Sequence, residues 1–426
     1  MKTLDQIAAE LQGYDPQALS APAVNQFLAQ LVTSVADTEA VGVFDALGRV
    51  LAEDVVSPIS VPPHDNSAMD GYAFDGAQLR AGHPLTLQVL EGTAFAGKAW
   101  TGRVGAGECV KIMTGAIMPA GLDTVVPQEM TQAAEGGITL PAGALQRGDN
   151  RRLLGEDLMA GRPALRAGNR LGPAALGLIA SLGLPTVTVF RRLKVAYFST
   201  GDEILSLGEA PREGAVYDSN RYTVFGLLTR LGVQVIDMGV VRDDPATLEA
   251  AFRTAAEKAD AIITSGGVSV GEADHTKAMM KKLGDVAFWR IAMRPGRPMA
   301  VGRLDKGAVM FGLPGNPVAV MVTFLAFVRP ALLKLMGVAD VAAHTPPLLK
   351  AHCLEPLRKK PGRTEYQRGT ISTAPDGTLQ VRTTGNQGSG VLSSMVQGNG
   401  LIVLHHAQGN VAVGNPVDVM VFDGVI

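Results

Sequence analysis

The stretch Ile262-Ile263-Thr264-Ser265-Gly266-Gly267-Val268-Ser269-Val270-Gly271-Glu272-Ala273-Asp274 decides the fold. A short apolar run enters a Ser/Gly loop, and the loop ends on two acids just ahead of a segment with helical spacing, 276–283. Strand, glycine turn and helix in succession are one repeat of an α/β sheet. In such sheets ligands collect at the carboxyl ends of the strands, so the bare backbone of Gly266 and Gly267 can approach a phosphate while Asp274 meets a cation. Alone, a Gly-Gly pair after a strand is also the mark of a plain tight turn, and the surrounding sequence has to decide.

Upstream, an apolar run at 195–198 leads to Ser199-Thr200-Gly201-Asp202-Glu203. Ser219 is expected to cap a helix over 220–231 that stops at Gly232. A strand over 233–241 then reaches Arg242-Asp243-Asp244-Pro245, where Asp244 reads as N-cap and Pro245 as the first helical residue of a helix to about 259. Downstream, strands near 286–291, 299–301 and 309–313 frame the loop Ala292-Met293-Arg294-Pro295-Gly296-Arg297-Pro298. Pro314-Gly315-Asn316-Pro317 opens a long apolar helix to about 336. Strands alternating with helices at this spacing predict a mainly parallel, three-layer α/β domain over 193–338.

The flanks read differently. Residues 1–55 are expected to be mostly helical, with Leu4, Ile7, Ala8 and Leu11 on one face and Val24, Phe27, Leu28, Leu31 and Val32 on another. So thin a helical region must pack on a later segment or on a second copy, and 173–182, with Pro at its start and Gly183 at its end, is the expected partner. Residues 56–150 then become an insertion whose short apolar runs, separated by Gly and Pro, predict a small mainly-β domain. Residues 151–192 then complete the helical region, to which the family resemblance given below assigns dimerisation. Residues 339–426 carry Val/Thr/Ile runs broken by Gly and Asn, which favour a small β barrel or sandwich.

With 426 residues the chain should divide into about three domains. Lys+Arg 38 against Asp+Glu 40 gives a net charge of -2 and no general attraction to nucleic acid or an anionic membrane. The start lacks the apolar core of an export signal, and the apolar run at 318–328 is far short of a bilayer span, so a cytoplasmic, soluble protein is expected. Cys109 and Cys353 are too few for a disulfide scaffold or a four-cysteine zinc site.

Three strand ends deliver acids to one edge of the parallel sheet: Asp202 and Glu203, Asp243 and Asp244, Glu272 and Asp274. Converging carboxylates need a compensating cation, and hard oxygen ligands suit Mg²⁺, with Glu203, Asp243 and Asp274 the metal-binding candidates. Asp244 is assigned to helix capping. Against the acids stand Arg290, Arg294 and Arg297, whose guanidinium forks match tetrahedral oxyanions. The Gly315-Asn316 turn offers backbone N–H groups to an anion. From composition alone, Asp65 to Ala73 and Lys111 to Ala116 read as surface turns. No Walker loop, His-x-x-x-His or Gly-x-Ser-x-Gly is present. These features describe a site for an anionic, phosphate-bearing ligand that works by positioning and electrostatics.

The motifs at Asp65 to Ala73, Ile112-Met113-Thr114-Gly115-Ala116, Arg152 to Asp157, Phe198 to Glu203, Ser265 to Asp274, Gly312 to Pro317 and Thr384 to Ser389 resemble, nearly end to end and in order, the signatures of the molybdopterin molybdenumtransferase family, the counterpart of the C-terminal part of gephyrin. The resemblance implies a four-part subunit in an elongated homodimer, with the amino-terminal helices packed across the dimer. It also implies insertion of molybdate into adenylylated molybdopterin, with release of AMP in the presence of Mg²⁺. It assigns roles to Asp70 and Thr114 in the insertion, Asp157 in the connection, Glu203, Asp243 and Asp274 in the α/β domain, and Arg368 and Ser389 in the last domain. The surface-turn readings of Asp70 and Thr114 are thereby withdrawn, and the site is expected to be completed across the dimer. Phosphate and pterin contacts fall to Ser265, Gly266, Gly267, Ser269, Pro295, Gly315 and Asn316, and oxyanion contacts to Arg290, Arg294, Arg368 and Ser389. The family has Lys where this chain has Arg290, Arg294 and Arg297 around the Pro-Gly loop, a change expected to alter molybdate affinity or geometry. A molybdopterin adenylyltransferase is a possible partner protein. The competing readings are an adenylyltransferase or other nucleotide-linked enzyme on the same α/β domain, and a scaffold protein.

Overall fold

In the strand Lys194–Thr200, Val195 and Tyr197 face one side of the sheet and Ala196 and Phe198 the other, and all four are buried. Alternate residues of a strand face opposite ways, so a strand apolar at every position must be covered on both faces. The same split occurs in the strand Ala261–Ser265 (Ile263 against Ile262) and in Val309–Leu313 (Phe311 against Met310). One face is covered by the helices Ser219–Leu231 and Pro317–Leu335 and the other by Pro245–Lys258 and His275–Leu283. This is the predicted three-layer α/β arrangement.

The computed structural model describes residues 2–268, 275–422, 424 and 426. Its contacts separate two units, one formed by Met1–Glu53, Ala167–Gly172 and Val187–Ile426 and the other by Asp54–Arg166 with Pro173–Thr186.

In the first unit the sheet order is Gln234–Val241, Lys194–Thr200, Ala261–Ser265, Val309–Leu313, Pro298–Leu304, Gly284–Arg290. The first four strands run parallel and the last two join antiparallel. The chain moves outward in opposite directions from the pair Lys194–Thr200 and Ala261–Ser265, which creates a crevice at their carboxyl ends. In the long helix Pro317–Leu335, a π turn occupies Phe324–Val328, two residues short of Pro330, which has no N–H to give to the helical ladder. This helix is the one among the described residues long and apolar enough to cross a membrane, and it is mostly buried in the core.

Three expectations change here. Only Leu4–Glu10 and Ala21–Leu31 are α-helical in the amino-terminal region; Thr38–Gly42 is a strand paired with Thr186–Phe190, and Gly48 turns the chain at φ 74°. Leu4, Ile7, Val24, Phe27 and Leu31 bury themselves in the same core as Trp289, Val320 and Phe324, so these helices take the α/β domain of their own chain as partner rather than 173–182. The helix Ser219–Leu231 is capped by Asp218, whose Oδ1 accepts from the Arg221 N–H at 3.0 Å, not by Ser219.

Five strands at the carboxyl end close on themselves, in the order Thr364–Thr373, Leu379–Thr383, Leu348–Cys353, Pro416–Val421, Gly400–Leu404 and back to the first. The ring makes a barrel around Ala351, Val381, Ile402, Val417 and Val419, the first of the two predicted alternatives. In the second unit, Asp54–Arg166 contains a six-stranded sheet, consistent with the predicted mainly-β insertion.

Candidate functional site

At the carboxyl ends of the central strands lies a cavity of about 960 Å³. Its floor is built from Ser199 and Thr200 at the end of one strand and Ser265, Gly266 and Gly267 at the end of the next. Gly266 has φ 90°, and a Cβ there would stand 2.3 Å from the Thr200 carbonyl oxygen; Gly267 has φ 63°, and a Cβ would meet the Thr276 side chain at 2.5 Å. Both positions therefore exclude any side chain, which leaves bare backbone facing the cavity. Beneath the floor, the Tyr197 hydroxyl lies 2.9 Å from Ser199 Oγ and 2.7 Å from Ser265 Oγ. Burial pushes the Tyr197 phenol up, so it stays protonated and can fix the orientation of both serines.

The rest of the wall comes from three loops. Arg294, Pro295, Gly296 and Arg297 line one side, Gly315 and Asn316 another, and Gln387, Gly388 and Ser389 a third. Arg294 and Arg297 are exposed. Among the described residues neither guanidinium group is ion-paired with a carboxylate. The helix that begins at Pro317 is less open than its sequence implies. Pro317 has no N–H, and the Val318 N–H is bonded to the Ser389 carbonyl at 3.1 Å. That bond instead ties the Ser389 loop of the barrel to the helix start.

Two of the expected arginines do not line the cavity. Arg290 is exposed at the end of its strand, with its backbone bonded to Pro16 and Leu19. Arg368 is 1% exposed, and its guanidinium donates to Ser394 Oγ at 2.9 Å, to the Gly388 carbonyl at 2.9 Å and to the Asn386 carbonyl at 3.3 Å. Burial, with the charge of Arg294 nearby, pulls its pKa down to about 10, so it remains a cation at neutral pH. Its geometry is that of a brace for the 386–388 loop rather than a ligand contact.

Among the acids, Glu203 lines the cavity and packs against Gly201, where a Cβ would meet its carboxylate at 2.6 Å. Asp243 is half-buried at the end of the neighbouring strand, where the Thr276 hydroxyl reaches Oδ1 at 3.4 Å; Thr276 is also the side chain against Gly267, which places Asp243 beside the cavity floor. Asp274 and Ser269 lie outside the described residues. No group of three or more His, Cys, Asp or Glu gathers in metal-binding geometry among the described residues. The all-oxygen character of Glu203 and Asp243 nevertheless fits a hard cation such as Mg²⁺.

Asp70, Thr114 and Asp157 belong to the second unit. Asp70 Oδ1 accepts from both the Thr114 N–H at 2.7 Å and the Thr114 hydroxyl at 2.6 Å, and these bonds hold its carboxyl below the usual range. Asp157 is exposed, with its N–H on the Val61 carbonyl at 3.1 Å. Asp65 links the two loops by accepting from the Leu154 N–H at 2.8 Å. Two cavity residues, Asp218 and Asn220, had no assigned role in the sequence; the signal present was an Asp and an Asn flanking the first residue of a helix.

A phosphate-compatible glycine floor at a strand crevice, with Arg294 and Arg297 in the same cavity wall, defines an α/β protein whose cavity suits an anionic small molecule. Residues 19–183 match the description "MoeA N-terminal region (domain I and II)", 196–334 "Probable molybdopterin binding domain" and 350–422 "MoeA C-terminal region (domain IV)". The chain is 42% identical over 389 residues to the molybdopterin molybdenumtransferase of Haemophilus influenzae, spanning 91% of this chain and 95% of that one. It is 36% identical over 394 residues to that of Nostoc, spanning 90% and 88%. A crystal structure of the molybdopterin biosynthesis MoeA protein from Pyrococcus horikoshii is similar at a TM-score of 0.79 and 27% identity, covering 95% of this chain and 100% of that one. The chain belongs to the molybdopterin molybdenumtransferase family.

Proposed function

We propose that this protein inserts molybdate into adenylylated molybdopterin and releases AMP. The observation that carries the reading is the single cavity in which Gly266 and Gly267 present bare backbone, Arg294 and Arg297 present unpaired guanidinium groups, and Glu203 presents a carboxylate. Two anions of different size must meet there, a phosphoanhydride and a metal oxyanion. Strand-end backbone suits the first, and planar guanidinium forks with the Ser389 loop suit the second. Magnesium would be held by Asp243 and Asp274 with Glu203 nearby, and would supply charge neutralisation to the phosphates. Arg368 acts indirectly, by fixing the loop that carries Ser389.

The working form in this proposal is a cytoplasmic homodimer in which Asp70, Thr114 and Asp157 of one subunit serve the cavity of the other, and a molybdopterin adenylyltransferase supplies the substrate. The test is AMP release from adenylylated molybdopterin by the full chain with Mg²⁺. Release should depend on molybdate, and Asp274→Ala should slow it by about 100-fold or more, the scale of losing one charge-stabilising group. Release at the same rate without molybdate, or none at all, refutes the activity; parent-rate release by Asp274→Ala refutes the role of that acid.

A further inference from the structure

One strand of the barrel, Thr364–Thr373, connects two segments that both line the cavity. Near its start Glu365 pairs in parallel with Arg294 and Thr364 with Met293, and the Thr364 N–H donates to the Ala292 carbonyl at 2.8 Å. Three residues on, the Arg368 guanidinium holds the carbonyls of Asn386 and Gly388, in the loop that carries Ser389. A strand advances about 3.3 Å per residue, so these two attachment points stand about 10 Å apart. The strand is itself paired on both edges, with Leu379–Thr383 and with Gly400–Leu404, which makes it a stiff rail. Arg294 and Ser389, remote in sequence, are both registered on it.

The attachment at Arg368 has a second part. Gln387 Oε1 accepts from the Arg368 N–H at 2.7 Å, and Gln387 Nε2 donates to the Arg368 carbonyl at 3.1 Å. A primary amide has one accepting end and one donating end, so it can pair with a peptide group as a neighbouring strand would, in one orientation only. The guanidinium already closes the loop, but it does so from the end of a long, flexible side chain. Bonds to the main chain of Arg368 remove the freedom which that stem leaves. Beyond Gln387, the Ser389 carbonyl accepts from the Val318 N–H at 3.1 Å, so the loop is fastened to the rail at one end and to the start of the helix Pro317–Leu335 at the other.

We propose that Gln387 is a positioning residue that sets the spacing between Ser389 and Arg294, and through that spacing the fit of molybdate. This rests on the molybdate reading above and deepens it. Gln387 acts through the peptide of Arg368, and its effect falls on the oxyanion rather than on the phosphates, which belong to the glycine floor built from other strands.

The test is steady-state AMP release by the full chain, with molybdate and adenylylated molybdopterin varied in turn, for the parent, Gln387→Met, Gln387→Asn and Val417→Ala. Gln387→Met keeps the length of the side chain and removes both bonds to the Arg368 main chain. Gln387→Asn keeps the amide but is one methylene too short to make both. Val417, 1% exposed in the barrel core, is the control: its truncation lowers the thermal midpoint while leaving the hydrogen bonds of the loop in place. Each Gln387 variant should raise the half-saturating molybdate concentration by about 10-fold, less than about 1 Å of misplacement can cost. The value for adenylylated molybdopterin should stay within about 2-fold, and Val417→Ala should leave both values within about 2-fold. Equal shifts for the two substrates, no shift in either Gln387 variant, or a molybdate shift in Val417→Ala as large as in Gln387→Met overturns the assignment. A parent without molybdate-dependent AMP release overturns the activity and the positioning role together, whereas an active parent with unmoved Gln387 variants overturns the positioning role alone.

Discussion

The strand-end cavity and the Asp70 turn handle carboxylates in opposite ways. In the cavity wall, Asp218 keeps one oxygen buried and unpaired. In the second unit, Asp70 Oδ1 is doubly satisfied by the backbone and hydroxyl of Thr114. An unpaired buried acceptor is a standing cost to the folded protein. A pre-bonded carboxylate is instead held ionised in one geometry, ready to act as a fixed charge. The difference teaches that the fold leaves one carboxylate incomplete at a cost and completes the other so that its charge is fixed in place.

The comparison is broken most severely by closing the cavity floor. Gly266→Ala must adopt φ near 90° and bring a Cβ to 2.3 Å from the Thr200 carbonyl, so the loop has to move. The left-handed conformation alone costs an alanine about 1–2 kcal/mol, and displacing a positioning loop by about 1 Å can cost on the order of 100-fold in rate. AMP release by Gly266→Ala should fall by at least that factor, with a lowered thermal midpoint as the second reading. Parent-like turnover would mean that the floor does not carry the phosphates.

A smaller effect separates the two kinds of arginine. Arg368→Met strips donors from the carbonyls of Asn386 and Gly388 and from Ser394, all engaged by one guanidinium. Leaving such acceptors unpaired should cost about 2–3 kcal/mol in denaturant unfolding. Arg368→Lys should recover little of it, since a point-like ammonium cannot span three acceptors. Arg294→Met, at an exposed site, should leave stability within about 0.5 kcal/mol while raising the molybdate concentration needed for half-maximal rate. Equal destabilisation by both substitutions would erase the distinction between brace and contact.

The distinction was not legible in the sequence, and the reason is geometric. Arg294 and Arg368 both follow or precede residues typical of strands and loops, and only the closed barrel decides that Arg368 points into a loop's carbonyls rather than outward. The α/β repeat was legible because the central strands carry apolar runs and the helices Ser219–Leu231 and Pro245–Lys258 begin at capping residues. Asp218 against Ser219 shows the limit of that signal, since both residue types cap well and only the bond to the Arg221 N–H chooses. The amino-terminal helices are legible in the spacing of Leu4, Ile7, Ala8 and Leu11 and of Val24, Phe27, Leu28, Leu31 and Val32; beyond Val35 the strand Thr38–Gly42 is set by pairing with Thr186–Phe190, far along the chain, which local spacing does not announce.

The mildest test concerns Asp70 itself. Its carboxyl is held down first by the Thr114 hydroxyl and then by the Thr114 N–H. A folded-state pKa below the unfolded value means that the ionised form is favoured in the folded protein, a benefit complete above the unfolded pKa of about 3.9 and lost as pH falls through the lower folded value. Thr114→Val removes the hydroxyl bond but leaves the backbone one, so carbon NMR of the Asp70 carboxyl should show its titration moving upward toward about 3.9 without reaching it. The parent's activity should accordingly show no loss from Asp70 as pH is lowered from 7 to about 5, since the carboxyl remains ionised throughout. A titration unmoved by Thr114→Val would mean that the hydroxyl does not hold the charge, and the contrast between completed and incomplete carboxylates would rest on the backbone bond alone.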